Sequence, residues 1–327
     1  MELASPGTCP PTRQPTRPLT RRQFVAAGAA ALGALAAPPL QRAAAQPRTR
    51  LILLGTGGGP TPKPDRAAPA QVIVVDGASY VVDCGNGVAR QLVLAGLRLG
   101  SIRGVFVTHH HSDHDADYGN LLLLGWASDL ATRVDTYGPP PLAAMTRQFL
   151  ALNDADIRTR IADEGRPPLR DLIVAHELRG GGPVMQDARV RVTAAVVDHP
   201  PVVPSLAYRF DCPGRSIVIS GDTRPSPALV RLAQGADVLV HEVMHVPSIE
   251  RLIAAEPNAR TLRAHLLASH TTVEQVGRVA SEAGVRTLVL SHLVPGGRPV
   301  VPDDVWREAV RPHFAGEVIV GRDLLEL

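Results

Sequence analysis

The sequence predicts an α/β layered protein with two sheet-bearing halves, and three observations carry that prediction. Short β-branched runs alternate with amphipathic or Ala/Leu-rich segments along most of the chain, the pattern of strands interleaved with helices. These runs fall into two similar sets: "RLILLG", "QVIVVDG", "SYVVDCG" and "IRGVFVTH", then "RVRVTAAVVDH", "SIVISGD", "ADVLVHE" and "VRTLVLSH". Both sets end repeatedly on His, Asp or Glu, and no linker composition separates them. With 327 residues, 45% of them apolar, the chain can bury a full core, so the halves are read as one domain sharing one site.

Ahead of the first strand-like run, "LTRRQFVAAGAAALGALAAPPLQRAAAQ" places Arg21-Arg22 before a weakly apolar stretch and a small-residue site at Ala43-Ala44-Ala45. Residues 1–45 therefore read as a twin-arginine export signal, with a mature chain of residues 46–327 in the periplasm or secreted. Phe24 to Leu40 approaches spanning length, but Ala and Gly anchor poorly and Pro38-Pro39 interrupts the run, so no stable membrane anchor is expected. The leader contributes a net charge of +4, from Arg13, Arg17, Arg21, Arg22 and Arg42 against Glu2, so a chain of +3 leaves a mature part near −1. No overall basic footprint for nucleic acid survives. Cys9 departs with the leader, and Cys84 and Cys212 are too few for a disulfide framework.

"GTGGGPTPKP" follows the first strand, but Pro60, Pro62 and Pro64 forbid the helix that a dinucleotide loop requires. The segment from Tyr137 to Gly182, rich in Pro, Gly and charge, is expected to be a solvated connection or an insertion serving as a lid or a subunit contact. A homodimer is one such assembly.

The chemistry concentrates in "FVTHHHSDHDAD", residues 106–117. Beyond the end of a buried strand, His109 and His111 at alternate positions share one side, and His110 points away as a supporting or packing residue. Ser112 or Asp113 is expected to cap the helix over "DHDADYGNLLLLGW", which sets Asp113 and His114 at a helix start facing the same cavity. Three imidazoles and a carboxylate at this spacing fit zinc. His199, Asp222 and His292 each follow an apolar run, and an ionisable group repeated at strand ends points to convergence on one site. "HEVMH", His241 to His245, has the His-Glu-x-x-His pattern of zinc proteases. A strand-like run precedes it and Pro247 follows it, which leaves no room for the helix that motif needs. His176, His265 and His313 have no companions at ligand spacing and read as structural or solvated.

"THHHSDH" matches the His-x-His-x-Asp-His signature of the metallo-β-lactamase superfamily, and the chain resembles that superfamily over nearly all of its mature length. "LLGTGGGP", "VVDCGNGVARQLVLAGL", "VISGDT", "ADVLVHE" and "ASHTTVEQVGRVASEAGVRTLVLSHL" are similar, more specifically, to the ribonuclease Z branch and its arylsulfatase-like relatives. The resemblance implies an αββα sandwich with outer helices and two zinc ions per chain. His109, His111 and His199 would hold one ion, Asp113, His114 and His292 the second, and Asp222 would bridge both. Asp113 counts as catalytic as well as ligating, and Glu242 and His270 match a proton-delivery pair. "SHTT" stands where many relatives have His-Ser-Thr, which leaves His270 in place.

The resulting expectation is an exported dinuclear zinc hydrolase of small sulfate or phosphate esters, arylsulfatase-like. The alternatives are a ribonuclease Z-like phosphodiesterase, a lactonase, or a non-catalytic metal-binding module, since fold and metals leave the pocket open. Export and the mature charge weigh against transfer RNA, and the presence of both Glu242 and His270 weighs against a non-catalytic module.

Overall fold

The computed structural model describes residues 48–327; the proposed leader, residues 1–45, lies outside them. The first half runs β1 (Thr49–Gly55), β2 (Ala70–Val75), β3 (Ala78–Val82), α1 (Val88–Leu94), β4 (Ile102–Phe106), α2 (Ser112–Asp115), α3 (Tyr118–Ser128), β5 (Val134–Gly138), α4 (Leu142–Leu152), α5 (Asp154–Glu164), α6 (Leu169–Leu172) and β6 (Ile173–Glu177). The second runs β7 (Gly182–Gln186), β8 (Arg191–His199), β9 (Val202–Cys212), β10 (Arg215–Ile219), α7 (Pro227–Ala233), β11 (Val238–Met244), α8 (Val246–Ala255), α9 (Leu262–Ser269), α10 (Val273–Ala283), β12 (Thr287–Val294), α11 (Asp303–Val310), β13 (Glu317–Val320) and β14 (Leu325–Glu326).

Each half forms a seven-stranded sheet, ordered β14-β1-β2-β3-β4-β5-β6 and β13-β12-β11-β10-β9-β8-β7. Strands β3 to β6 pair in parallel, as do β10 to β13, so many carboxyl ends emerge on one rim of each sheet. The terminal strand β14 leaves the second half and pairs antiparallel with β1, which ties the two halves together.

The layering follows from the two-residue period of the strands. Along β1, Leu51 and Leu53 enter the cluster between the sheets, whereas Ile52 and Leu54 face the helices outside. Facing residues of the second sheet, among them Leu206, Tyr208, Phe210 and Ile217, complete the inner layer. Phe106 stacks on Tyr137 at 5.0 Å between ring centroids and meets Phe210 edge-on at 5.1 Å. Outside, α1 and α3 cover the first sheet through Leu92 and Leu121. Helices α7, α10 and α11 cover the second through Leu229, Val276 and Trp306. The αββα sandwich is thus realised, and no described helix is long and apolar enough to cross a membrane.

Two expectations need correction. The Tyr137–Gly182 segment is no loose insertion: α4, α5 and α6 form the crossover between parallel strands β5 and β6. Ile157 and Leu169 of this crossover pack on Trp126 of α3, so apolar burial on the outer layer, hidden among Pro, Gly and charge, organises it. The helix expected over "DHDADYGNLLLLGW" is two helices, α2 and α3, broken at 116–117. Ser112 and Asp113 lie inside the first turn of α2; its cap position is His111, without a side-chain cap bond.

Phe106 is fully buried where both sheets meet. Phe106→Ala should destabilise the protein by roughly 3–5 kcal/mol, the cost of emptying an aromatic site in a packed interior. Urea denaturation measures this, and a midpoint unchanged from wild type would contradict it.

Candidate metal centre

The site forms where the carboxyl rims of the two sheets converge. Past β4 the chain stays extended, so His109 and His111 project to one side. His110 turns to the other, where its Nδ1 lies 2.8 Å from Asp115 and its Nε2 2.8 Å from the Pro139 carbonyl oxygen. Asp113 and His114 follow in the first turn of α2. His199 is the last residue of β8, and Asp222 follows β10. Gly221, just before Asp222, has a φ of 59°, and a Cβ there would stand 2.7 Å from the Leu206 carbonyl oxygen, so only glycine lets the chain turn Asp222 inward. In β12, Glu242 pairs with Ser291 and Val243 with Leu293. His292 is therefore the extra residue of a bulge, with φ 44°, and the bulge re-aims its ring into the site.

All seven ligand candidates come together. His111 Nδ1 lies 3.0 Å from His109 Nε2 and 3.2 Å from His199 Nε2. Asp222 Oδ2 stands 3.9 and 4.0 Å from the Nε2 atoms of His109 and His199. In the second group, His292 Nε2 is 3.3 Å from Asp113 Oδ2 and 3.2 Å from Asp222 Oδ2. His114 Nε2 is 3.6 Å from Asp113 Oδ2 and 3.3 Å from Asp222 Oδ1. Donors around a tetrahedral zinc with bonds of about 2.0–2.1 Å lie roughly 3.3 Å apart, which matches the closest spacings. Asp222 alone belongs to both groups.

The donor chemistry fits a cation as well. His114 Nε2 and Asp222 Oδ1 are buried without a hydrogen-bond partner, an arrangement that costs about 1–3 kcal/mol per group unless a ligand satisfies it. Burial lowers His109 well below the ordinary imidazole range, lowers His111, and takes His199 down to about 4, so these rings offer neutral lone pairs. Burial works against ionising Asp222, but His292, His114 and His109 outweigh it and hold the carboxyl well below its usual range. Burial likewise opposes charge on His114, yet Asp222, Asp83 and Asp113 raise it. That concentration of carboxylates is what a divalent cation would neutralise.

Ring orientation is set from behind. His114 Nδ1 lies 2.8 Å from Asp83 Oδ2, and Asp83 also accepts from Thr108 N at 2.8 Å and Thr108 Oγ1 at 3.0 Å. His199 Nδ1 donates to the Ser269 carbonyl oxygen at 3.0 Å. Each bond leaves Nε2 free to coordinate. Glu242 and His270 also meet: His270 Nδ1 is 3.1 Å from both carboxylate oxygens, and Thr223 N donates to Glu242 Oε1 at 2.8 Å. Burial resists charge on His270, but Glu242 overrides it and raises the imidazole to about 9, so the pair favours the protonated ring beside the ligand set.

Several residues were not foreseen. Asp83 closes "SYVVDCG", one more strand run ending on an acid, so the signal that found Asp222 was present. His265 is not solvated away from the site: on α9, its ring centroid lies 5.6 Å from His270 and 5.9 Å from His199. A helix ending at Ser269, directly before His270, was the available clue. The Gly/Pro-rich loop reaches the site too, since Gly59 N donates to Asp113 Oδ2 at 2.9 Å. Elsewhere the expectations stand: β11 runs through Met244, which excludes the protease helix, and His176, on the edge strand β6, pairs with Asp135 at 2.7 Å and stacks on Tyr137.

Comparison with known proteins identifies the family. A beta-lactamase superfamily domain model matches residues 79–293. The chain is 34% identical over 277 residues to a ribonuclease Z of Mycobacterium bovis, covering 84% of this chain and 96% of that protein. Among solved structures, the short form of human tRNase Z superimposes with a TM-score of 0.63 at 22% identity, covering 85% of this chain and 98% of that one. The metallo-beta-lactamase fold protein YhfI of Bacillus subtilis gives 0.62 at 20%, with coverages of 85% and 98%. These two structures share the fold, and the fold implies divalent metal binding. The relatives favour the phosphodiesterase reading over the arylsulfatase-like one preferred from sequence.

Asp83 provides a test of the centre that does not depend on turnover. Asp83→Ala should weaken divalent-metal affinity about 10- to 100-fold, the usual effect of losing a carboxylate that orients a ligand imidazole. Competition with a chromophoric chelator reads the affinity, and an Asp83→Ala protein that holds metal as tightly as wild type would count against the arrangement.

Proposed function

The chain belongs to the metallo-β-lactamase superfamily and is a metal-dependent hydrolase acting on ester bonds; from that premise we propose that it is a ribonuclease Z-like phosphodiesterase with two zinc ions. The observation that carries the proposal is the 34% identity to ribonuclease Z along 84% of the chain. The Glu242–His270 pair beside the ligand set gives it a mechanism. His109, His111 and His199 would hold one ion and Asp113, His114 and His292 the other; Asp222, with oxygens 3.3 and 3.2 Å from His114 and His292 and 3.9 Å from His109, would stand between them. Divalent cations held there supply Lewis acidity and activate water at neutral pH.

The protein's own groups account for the remaining steps. The buried carboxylates and neutral imidazoles would hold the cations at the rim of the site. His270, its Nδ1 committed to Glu242, donates from Nε2 to the oxygen that departs, which a poor leaving group needs and a nitrophenolate does not. Glu242 orients the ring and favours its charged form; it transfers no proton itself. The sulfate-ester reading preferred from sequence draws no support from the ribonuclease Z relatives described above. Export through residues 1–45, outside the described residues, belongs to the same proposal and places the reaction beyond the cytoplasm.

The zinc-loaded protein should cleave bis(p-nitrophenyl) phosphate in preference to p-nitrophenyl sulfate. His270→Ala should slow diesters of alkyl alcohols by about 10²- to 10⁴-fold and nitrophenyl diesters much less, with metal content unchanged, and Glu242→Gln should show the same pattern more weakly. Preference for the sulfate would reject the phosphodiester assignment, and equal losses across the leaving-group series would reject His270 as the acid. In the native host, replacing Arg21 and Arg22 by lysine should retain the precursor inside the cell; fractionation with immunodetection checks this, and unchanged processing would rule out the twin-arginine route.

A further inference from the structure

A cavity of about 330 Å³ opens beside the ligand set, with His111, Asp113, Asp222, His270 and His292 at its base. Its size is that of a small-molecule site. One wall is apolar: Leu252 of α8, Leu262 and Leu266 of α9, and Val294 of β12. The same four residues belong to one cluster with the buried Met244 and Ile249, so packed core backs this wall. The facing wall is the loop from Gly58 to Lys63, including Pro60. The walls are tied to each other, because Thr61 Oγ1 donates to Glu256 Oε1 at 3.0 Å just beyond the end of α8.

The electrostatics of the cavity select what it can hold. Apart from the carboxylates and imidazoles at its base, its charged side chains are Lys63 and Glu256, one of each sign. Both are occupied by the loop: Lys63 Nζ donates to the carbonyl oxygens of Gly59 and Thr61 at 2.9 and 2.8 Å, and Glu256 accepts from Thr61. The one ammonium, Lys63, thus spends two of its three donors on the loop, and Asp113 and Glu256 offset its charge. A separate cavity of about 420 Å³ shares the loop, and the arginines Arg66 and Arg90 line that one. A neutral apolar group gains from the first cavity by leaving water, whereas an anionic one would exchange its hydration for a single remaining donor of Lys63 beside the carboxylates of Asp113 and Glu256.

We propose that the cavity of Leu252, Leu262, Leu266 and Val294 is the leaving-arm pocket, which receives a neutral apolar ester arm of aryl size. This rests on the phosphodiester reading. The assignment to the leaving arm follows from His270, which lines the cavity and keeps Nδ1 on Glu242, so Nε2 serves the group lodged there. The oxygen of water bonds to phosphorus as the bond from phosphorus to the arm's oxygen breaks. That oxygen takes the proton of His270 and leaves as a neutral alcohol, and the proton released by the attacking water replaces the one given up.

The test compares methyl phenyl phosphate with methyl p-butylphenyl phosphate, whose leaving phenols match in acidity and differ in apolar area. The zinc-loaded protein should show kcat/KM roughly 10- to 100-fold higher for the butylphenyl diester, from partial burial of the added methylenes. Leu252→Asn and Leu262→Asn should each pull that ratio toward one, and a ratio is insensitive to the fraction of folded enzyme. The released alcohol, p-butylphenol, should inhibit competitively, and less so in both variants. Equal kcat/KM for the two diesters in the wild type, with p-butylphenol failing to compete, would overturn the pocket. Cleavage of neither diester, with competitive p-butylphenol inhibition of nitrophenyl sulfate turnover, would uphold the pocket and remove the phosphodiester reading instead.

Discussion

Asp222 is a carboxyl group only 2% exposed, set among the imidazoles of His109, His114, His199 and His292, and the rest of the site is arranged around holding it there. In a low-dielectric interior an unpaired charge is held only if positive charge and hydrogen bonds surround it. The ring nitrogens of His292 and His114 stand 3.2 and 3.3 Å from its oxygens, and those of His109 and His199 slightly farther off. These residues come from the segment after β4, from the end of β8 and from β12, and no single local segment could assemble them all. They converge because two sheets press their inner faces together over Phe106, Tyr137, Tyr208 and Phe210 and bring their carboxyl rims to one edge.

That edge carries the backbone irregularities of the molecule that bear on chemistry. Asp83 and His292 both adopt positive φ, 60° and 44°, conformations that cost non-glycine residues free energy. Each buys a side-chain direction that a regular strand would not give: Asp83 turns back onto His114, and the bulge at His292 points its ring at Asp113 and Asp222. Gly58 answers the same geometry from the loop, where a Cβ would stand 2.7 Å from His292 Nδ1. The packed sandwich behind these residues is what sustains the strain.

The division of labour between scaffold and function is visible in where the variable pieces lie. Sheets and outer helices hold the ligands, and the same scaffold serves proteins of several activities. The Glu242–His270 pair, the Gly/Pro-rich loop and the α8–α9 helices surround the space where substrate must sit. Under the proposed reading these parts, not the sandwich, would decide which ester is cleaved and how its leaving oxygen is protonated.

Much of this was legible in the residues themselves. Strand alternation, the His109–His114 cluster and the acids and histidines closing apolar runs gave the layered fold and all seven ligand candidates, because burial periodicity and donor chemistry are local properties. The helical crossover between β5 and β6 was not legible, since its few buried apolar residues, Ile157 and Leu169, gain meaning only against Trp126. Nor was His265, which needed the direction of α9 to be known. Which nitrogen each imidazole presents, which carboxylate stands behind it, and which walls enclose the cavity are relations among residues far apart in the chain. The amino-acid pattern determined what groups were available and that they would end strands; only tertiary packing decided their distances, because the two rims meet nowhere but in the folded sandwich.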